Sequence, residues 1–247
     1  MKISKTHPRY ESLKYRHRLV EGLKKGYVTQ SGLISHGRGE AFDYLIGEKT
    51  IPEAWEAEKA AVALMLLSKD PVISVNGNTA ALCPKELVDL AVSLDAKLEV
   101  NLYYRTLKRE KLIERILKKN GAEEVYGVGR KANKVVPNLD SDRSKVDSLG
   151  IWASDVVLVP LEDGDRVESL VAMGKKVVSI DLNPVSRTTR KASIAIVDNV
   201  VRAAANMIRL AADMKGMDRE ALKSVLDGFD NGENLEKTIR TMRQDIS

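Results

Sequence analysis

Arg38 stands between two glycines in Gly37-Arg38-Gly39-Glu40-Ala41-Phe42-Asp43. Such a pattern suits an anion: the glycines let backbone come close to a ligand, and the guanidinium supplies paired donors. Ser186-Arg187-Thr188-Thr189 offers a second clamp for a phosphate, Arg187 by its fork of donors and Thr188 by its hydroxyl. Asp181-Leu182-Asn183 follows the apolar run 176–180, so Asp181 can accept from a ribose hydroxyl; it can equally cap a turn. Glu162, Asp163 and Asp165 can hold Mg²⁺ or cap a helix that starts near Arg166. Asn76-Gly77-Asn78, the run Tyr103-Tyr104-Arg105-Thr106 and Asp198-Asn199 follow other apolar runs. A single polar strand end is ordinary turn chemistry, whereas five on one edge suggest a site.

Other constellations are weaker. Gly32 and Gly37 have the spacing that opens a P-loop, but Arg38-Gly39 stands where Lys-Ser/Thr is required, which excludes a Walker-type NTPase. Gly127-Val128-Gly129 with Ala132 approaches a dinucleotide fingerprint. The residues after it, Arg130 to Pro137, read as a basic loop. An NAD(P)-binding oxidoreductase is therefore kept as the alternative. His7, His17 and His36 lack the spacing of a metal triad, so no metal ligands are assigned. There is no G-x-S-x-G elbow, and Cys83 has no base nearby in sequence, so covalent nucleophilic catalysis is unsupported.

The elements that must position these residues alternate. Strand-like runs fall at 72–75, 98–102, 124–128, 156–159, 176–180 and 194–197, with helical patterns at 84–94, 107–119, 141–149 and 166–173 between most of them. This predicts an α/β fold, a Rossmann-like parallel sheet flanked by helices. The run at 194–197 is expected to follow a loop. A helix capped by Asp198 or Asn199 comes next, with Val200, Ala204, Ile208 and Ala211 on one face. Short helices over about 218–226 and 235–242 close the chain, and N-terminal helices are expected over about 11–25 and 52–68. Residues 1–247 read as one α/β domain: an N-terminal helical and Gly/Arg-rich segment (1–70), the sheet (71–200) and C-terminal helices (201–247).

Composition fits that picture. Of 247 residues, 43% are hydrophobic but only 4% aromatic, so aliphatic side chains must build the core. A single cysteine precludes an internal disulfide and favours a reducing compartment. The first residues lead into no apolar run and no stretch approaches a membrane span, so a cytoplasmic protein away from membranes is expected. The net charge of +5 is interspersed with acids rather than gathered in a tail. This argues for phosphate-bearing substrates over nucleic acid.

Several long stretches carry a specific likeness: HPRYESL at 7–13, GLISHGRGEAFDYLIGEKT at 32–50, PVISVNGNTAAL at 71–82, EVNLYYRT at 99–106, VLVPLEDGDR at 157–166, IDLNPVSRT at 180–188 and IVDNVVRA at 196–203. With these, in this order, the chain resembles the archaeal phosphopantothenate synthetases, also called 4-phosphopantoate–β-alanine ligases. The resemblance implies an ATP-dependent condensation of 4-phosphopantoate with β-alanine through an acyl-adenylate, releasing AMP and pyrophosphate, in coenzyme A biosynthesis. It also implies ATP with Mg²⁺ and a homodimer. Carried onto this chain, the nucleotide is expected at Arg16, Arg38, Asp181, Leu182, Asn183, Arg187, Thr188, Asp198 and Asn199. Arg38, Arg105 and Asn76 are expected to serve the chemistry. The logic is sound: a carboxylate oxygen is a poor leaving group, adenylation replaces it with AMP, and two anions must then be held side by side. The base for the amine is open among Tyr104, Glu40 and His36.

Overall fold

β-Branched residues crowd runs that are apolar on both faces, as strands buried between two helix layers require. In the computed structural model, which describes residues 4–244, those runs form a parallel sheet. The strands are β1 (Pro71–Val75), β2 (Lys97–Val100), β3 (Lys134–Val135), β4 (Lys145–Val146), β5 (Val156–Pro160), β6 (Lys176–Ile180) and β7 (Ile194–Ile196). β3 and β4 make a separate antiparallel ribbon; the other five lie in the order β2-β1-β5-β6-β7. From β1 the chain steps outward to β2, returns, and then steps the other way through β5, β6 and β7. Strand order therefore reverses between β1 and β5, the place where doubly wound sheets open a crevice.

Strand periodicity separates two cores. Ile73, Val75, Val156, Leu158, Val178, Ile180, Ile194 and Ile196 face one of them. Val72, Val157, Val159, Val177 and Ala195 face the other. The helices are α1 (Tyr10–Lys25), α2 (Gln30–Leu45), α3 (Pro52–Leu67), α4 (Gly77–Leu82), α5 (Pro84–Ser93), α6 (Leu107–Lys119), α7 (Gly164–Ala172), α8 (Arg187–Lys191), α9 (Val200–Met214), α10 (Arg219–Asp227) and α11 (Asn231–Gln244). α3 starts at Pro52 and buries Ala57, Ala60, Ala61, Val62 and Ala63. Small side chains along this helix permit close contact with α9 and α10. No described helix is long and apolar enough to cross a membrane.

Three local expectations change. The run 124–128 makes only an isolated bridge, Tyr126 to Glu99, because Gly127 turns the chain away at φ 75°. Residues 141–149 are not helical: a 3₁₀ turn at Asp142–Ser144 leads into β4. A short helix, α8, precedes β7 in place of a loop. The Gly/Arg-rich segment is also more regular than its composition indicates. α2 runs through Gly32, Gly37 and Gly39, each costing about 1 kcal/mol of helix propensity relative to Ala. Contacts to other elements offset that. Thr29 caps the helix by accepting from the Gly32 N–H at 3.1 Å, and the Asn78 amide donates to the Gly32 carbonyl at 2.8 Å.

A buried carboxylate ties the segment between β4 and β5 to the sheet. Glu99 on β2 is fully buried and accepts from the backbone N–H of Asp147 at 3.1 Å and of Ile151 at 2.6 Å. Burial pushes its carboxyl up to about 7, partly opposed by those two donors. Replacement by alanine orphans two buried donors and leaves a cavity. Glu99→Ala is expected to lose about 3 kcal/mol, a Tm drop of roughly 6–12 °C. Thermal denaturation checks this, and a change under 2 °C contradicts it.

Candidate active site

A cavity of about 610 Å³ lies over the carboxyl ends of β1, β5 and β6. Asn76 and Gly77 follow β1, the run 161–164 follows β5, and Asp181, Leu182 and Asn183 follow β6; all line it. α2 supplies the facing wall with Ser31, Ser35, His36 and Arg38, and Tyr103, Tyr104 and Arg109 enter from beyond β2.

Asn76 spans the reversal point. Its side-chain oxygen accepts from the Asn78 and Thr79 N–H groups, each at 3.0 Å, which caps α4. Its amide nitrogen donates to the Pro160 and Leu161 carbonyls at 3.0 and 3.1 Å. Gly77 is required beside it, since a Cβ there would lie 2.2 Å from the Tyr27 carbonyl oxygen. A second tie between β1 and β5 is ionic. Arg166 is fully buried; it donates to the Ser74 hydroxyl at 3.0 Å and pairs with Glu162. The other Glu162 oxygen takes Arg143 at 2.5 Å, and Arg143 also meets Asp163 at 3.0 Å. Burial raises the Asp163 carboxyl, with Arg143 opposing.

The β6 side has a different character. Asp181 accepts from the Asn183 N–H at 3.0 Å and from the Ser186 hydroxyl at 2.7 Å. Burial raises its pKa, while these donors and the Arg38 charge pull it down. Thr188 donates to the Glu162 carbonyl at 2.9 Å, which joins α8 to the β5 turn. A Cβ on Gly164 would come within 2.4 Å of the Arg187 Cβ, so α7 and α8 meet only because residue 164 is glycine. Arg38 makes no hydrogen bond or ion pair among the described residues, and Arg187 pairs at the surface with Glu168 at 3.0 Å.

The structure thus gathers Arg38, Asn76, Asp181, Leu182, Asn183, Arg187 and Thr188 around one cavity. A smaller pocket of about 170 Å³ adjoins it, sharing His36, Leu161 and Leu182 and adding Tyr15, Leu82, Asn199 and Val200. Arg16 lies off the large cavity in a two-point pair with Glu40, at 3.1 and 3.0 Å. Arg105 is also outside it: it pairs with Glu110 and donates to the Gly127 and Lys145 carbonyls, bracing the turn beyond β2. Asp198 turns inward, where it accepts from Thr50 at 2.6 Å and Arg202 at 2.8 Å. Asn199 caps α9 through the Val201 N–H and donates to Asp43 at 3.1 Å. Gly127-Val128-Gly129 offers no dinucleotide site: Gly127 packs against Glu99, and only a 3₁₀ turn at Gly129–Lys131 follows.

Among the three base candidates, burial works against ionised Glu40, yet donors from Arg16, Ser12 and Tyr44 hold its carboxyl down at about 2. A carboxylate so fully engaged is a poor proton acceptor. Burial lowers the His36 imidazole, partly opposed by Glu40, which favours a neutral ring where the two pockets meet. Tyr104 lines the cavity and is exposed. Sequence reasoning passed over Arg109, Arg143, Ser31 and Ser35. Arg109 sits in an ordinary amphipathic helix pattern, and Arg143 falls in the stretch expected to be helical.

A model of the phosphopantothenate/pantothenate synthetase family matches residues 53–245. The chain is 54% identical to a 4-phosphopantoate–β-alanine ligase of Thermococcus kodakarensis over 99% of its own length and 94% of that protein. Proteins of the same name from Thermococcus onnurineus and Methanosarcina mazei are 53% and 50% identical, over 100% and 99% of this chain and 94% and 95% of theirs.

Behind the cavity, Arg202 bridges Asp43 at 2.5 Å and Asp198, Asn206 donates to Thr50 at 3.0 Å, and fully buried Glu58 lies beside Asp198. Burial, then the Asp198 charge, push the Glu58 carboxyl up to about 9. A raised carboxyl binds its proton more tightly in the folded than in the unfolded chain. Its stabilisation is therefore full below the unfolded pKa near 4.5 and is lost as pH rises toward 9. Glu58→Gln is expected to flatten the fall of stability between pH 5 and 9, on the order of 5 kcal/mol across the range. Denaturant titrations at several pH values check it; parallel curves for the two proteins contradict it.

Proposed function

The chain belongs to the phosphopantothenate/pantothenate synthetase family, and from that premise we propose that it is a carbon–nitrogen ligase joining 4-phosphopantoate to β-alanine. The observation that carries the reading is identity of 50–54% to ligases of that name over nearly the full chain. In the proposed reaction a carboxylate oxygen of 4-phosphopantoate attacks the α-phosphorus of ATP and pyrophosphate leaves. The β-alanine amine, having given up a proton, then attacks the acyl carbon, and AMP leaves with that carboxylate oxygen.

The chain's own groups suit these steps. Arg38 and Arg187 bring positive charge to the β6 side of the cavity, and Asp181 can receive ribose hydroxyls there. Neutral His36 is the better placed of the candidates to take the ammonium proton, since Glu40 is locked in its ionised state. Mg²⁺ would neutralise the triphosphate. The acids present fit an ion carried in on phosphate oxygens rather than a resident cage: Glu162 is engaged by Arg143 and Arg166, Asp181 by Asn183 and Ser186, and no group of three or more metal-ligating side chains occurs among the described residues. Exposed Ile34, Tyr103, Tyr104 and Leu107 on neighbouring segments support a homodimer, and the reading fits a cytoplasmic enzyme of coenzyme A synthesis.

The reading is tested by following AMP and pyrophosphate from ATP and Mg²⁺, with and without each substrate. AMP is expected only when 4-phosphopantoate and β-alanine are both present, with pyrophosphate–ATP exchange on adding the acid alone. ATP left untouched under all conditions overturns it.

A further inference from the structure

The family reading requires two anions in one cavity but does not say which arginines hold which. We propose that Arg109, assisted by Arg143, binds the phosphate of 4-phosphopantoate at the β1/β2 end of the cavity, leaving the Arg38/Arg187 end to the nucleotide. This rests on the proposed ligase function and divides its site.

Arg109 is the unbalanced charge at this end of the cavity, as Arg38 is at the other. It is half-buried, and its terminal nitrogens donate to backbone carbonyls only, Tyr27 at 2.9 Å and Tyr104. Its Nε is buried without a hydrogen-bond partner, and it makes no ion pair among the described residues. A guanidinium with no carboxylate beside it is costly to desolvate. The next charge is of like sign: after burial itself, Arg143 is what lowers the Arg109 pKa. Arg143 and Arg166 are balanced by Glu162 and Asp163, which leaves Arg109 as the surplus. A phosphate dianion arriving here would meet the Arg109 guanidinium first and Arg143, shared with Glu162 and Asp163, second, with the Ser31 and Ser35 hydroxyls on the facing helix.

The opposite end suits a nucleoside better than a second phosphate ester. Asp181 there can accept from sugar hydroxyls, which a nucleoside offers. The smaller pocket opening beside it has an apolar patch of Leu82, Leu161, Leu182 and Val200 against which a base can pack, alongside charged groups such as Asp43, Glu48 and Arg202. The two ends would then point the substrate carboxylate and the α-phosphorus at each other across the middle of the cavity.

The test compares wild type, Arg109→Gln and Arg109→Lys by three constants: KM for 4-phosphopantoate, KM for ATP, and Ki for pantoate, the same acid without its phosphate, as a competitor. In Arg109→Gln the preference for the phosphorylated acid, Ki(pantoate) over KM(4-phosphopantoate), is expected to fall about 10- to 100-fold, with KM for ATP within about 3-fold. Arg109→Lys should restore part of it. A merely structural role would weaken both acids alike and leave the preference standing, which overturns the inference. A rise confined to ATP overturns it too. A wild-type protein that ligates nothing would instead remove the function on which the inference rests.

Discussion

A guanidinium cut off from solvent must be neutralised where it lies, because water cannot do it. Arg166 is in that position, and the edge of the sheet is arranged around it. It reaches Ser74 in β1 and Glu162 just beyond β5, so its pairing ties together the two adjacent strands at which strand order reverses. Glu162, held inward on its behalf, has a second oxygen to offer, and Arg143 takes it. Removing Glu162 would thus leave a buried cation at the base of the cavity and leave Arg143 held by Asp163 alone. The Asn76 amide joins the ends of the same two strands with neutral hydrogen bonds.

The electrostatics of the cavity follow. Glu162 and Asp163 are engaged by Arg143 and Arg166, while Arg38 and Arg109 have no carboxylate partner among the described residues. What remains to meet a ligand is positive charge at both ends and the Asp181 carboxylate near one of them. A ligase that activates a carboxylate with a nucleotide must bring together groups that repel one another, and preorganised cations do this without rearrangement during the reaction. The buried carboxyl of Glu58 and the Asp43–Arg202–Asp198 chain hold α2, α3 and α9 together behind the large cavity, with Asp43 and Arg202 also reaching the smaller pocket.

Much of the fold was legible because its signals are local. Val72, Val157 and Val177 stand in adjacent register just as runs apolar on both faces require. The residues after β1, β5 and β6 could be read as a site because parallel strands all end on one edge. What failed was non-local. The run 124–128 looks like a strand but keeps only one bridge, because Gly127 bends away under Glu99. The stretch around Arg143 looks helical but is drawn into a turn and ribbon by partners distant in sequence, Glu162 and Asn101. Arg109 belongs to a plain amphipathic helix, and only its end-on approach to Tyr27 brings it to the cavity. Arg105 and Asp198 sit in conspicuous motifs, yet the first braces a turn and the second faces the interior. Motif position marks the edge of the sheet; it does not say which way each side chain points.

The central claim, that this cavity activates a carboxylate by adenylation, is tested most directly by isotope transfer. With 4-phosphopantoate labelled with ¹⁸O in its carboxylate, a single turnover in the presence of ATP and β-alanine should place one labelled oxygen in AMP. AMP or another phosphate product formed with no label in the AMP would contradict the account, since the acyl oxygen would then have left by another route.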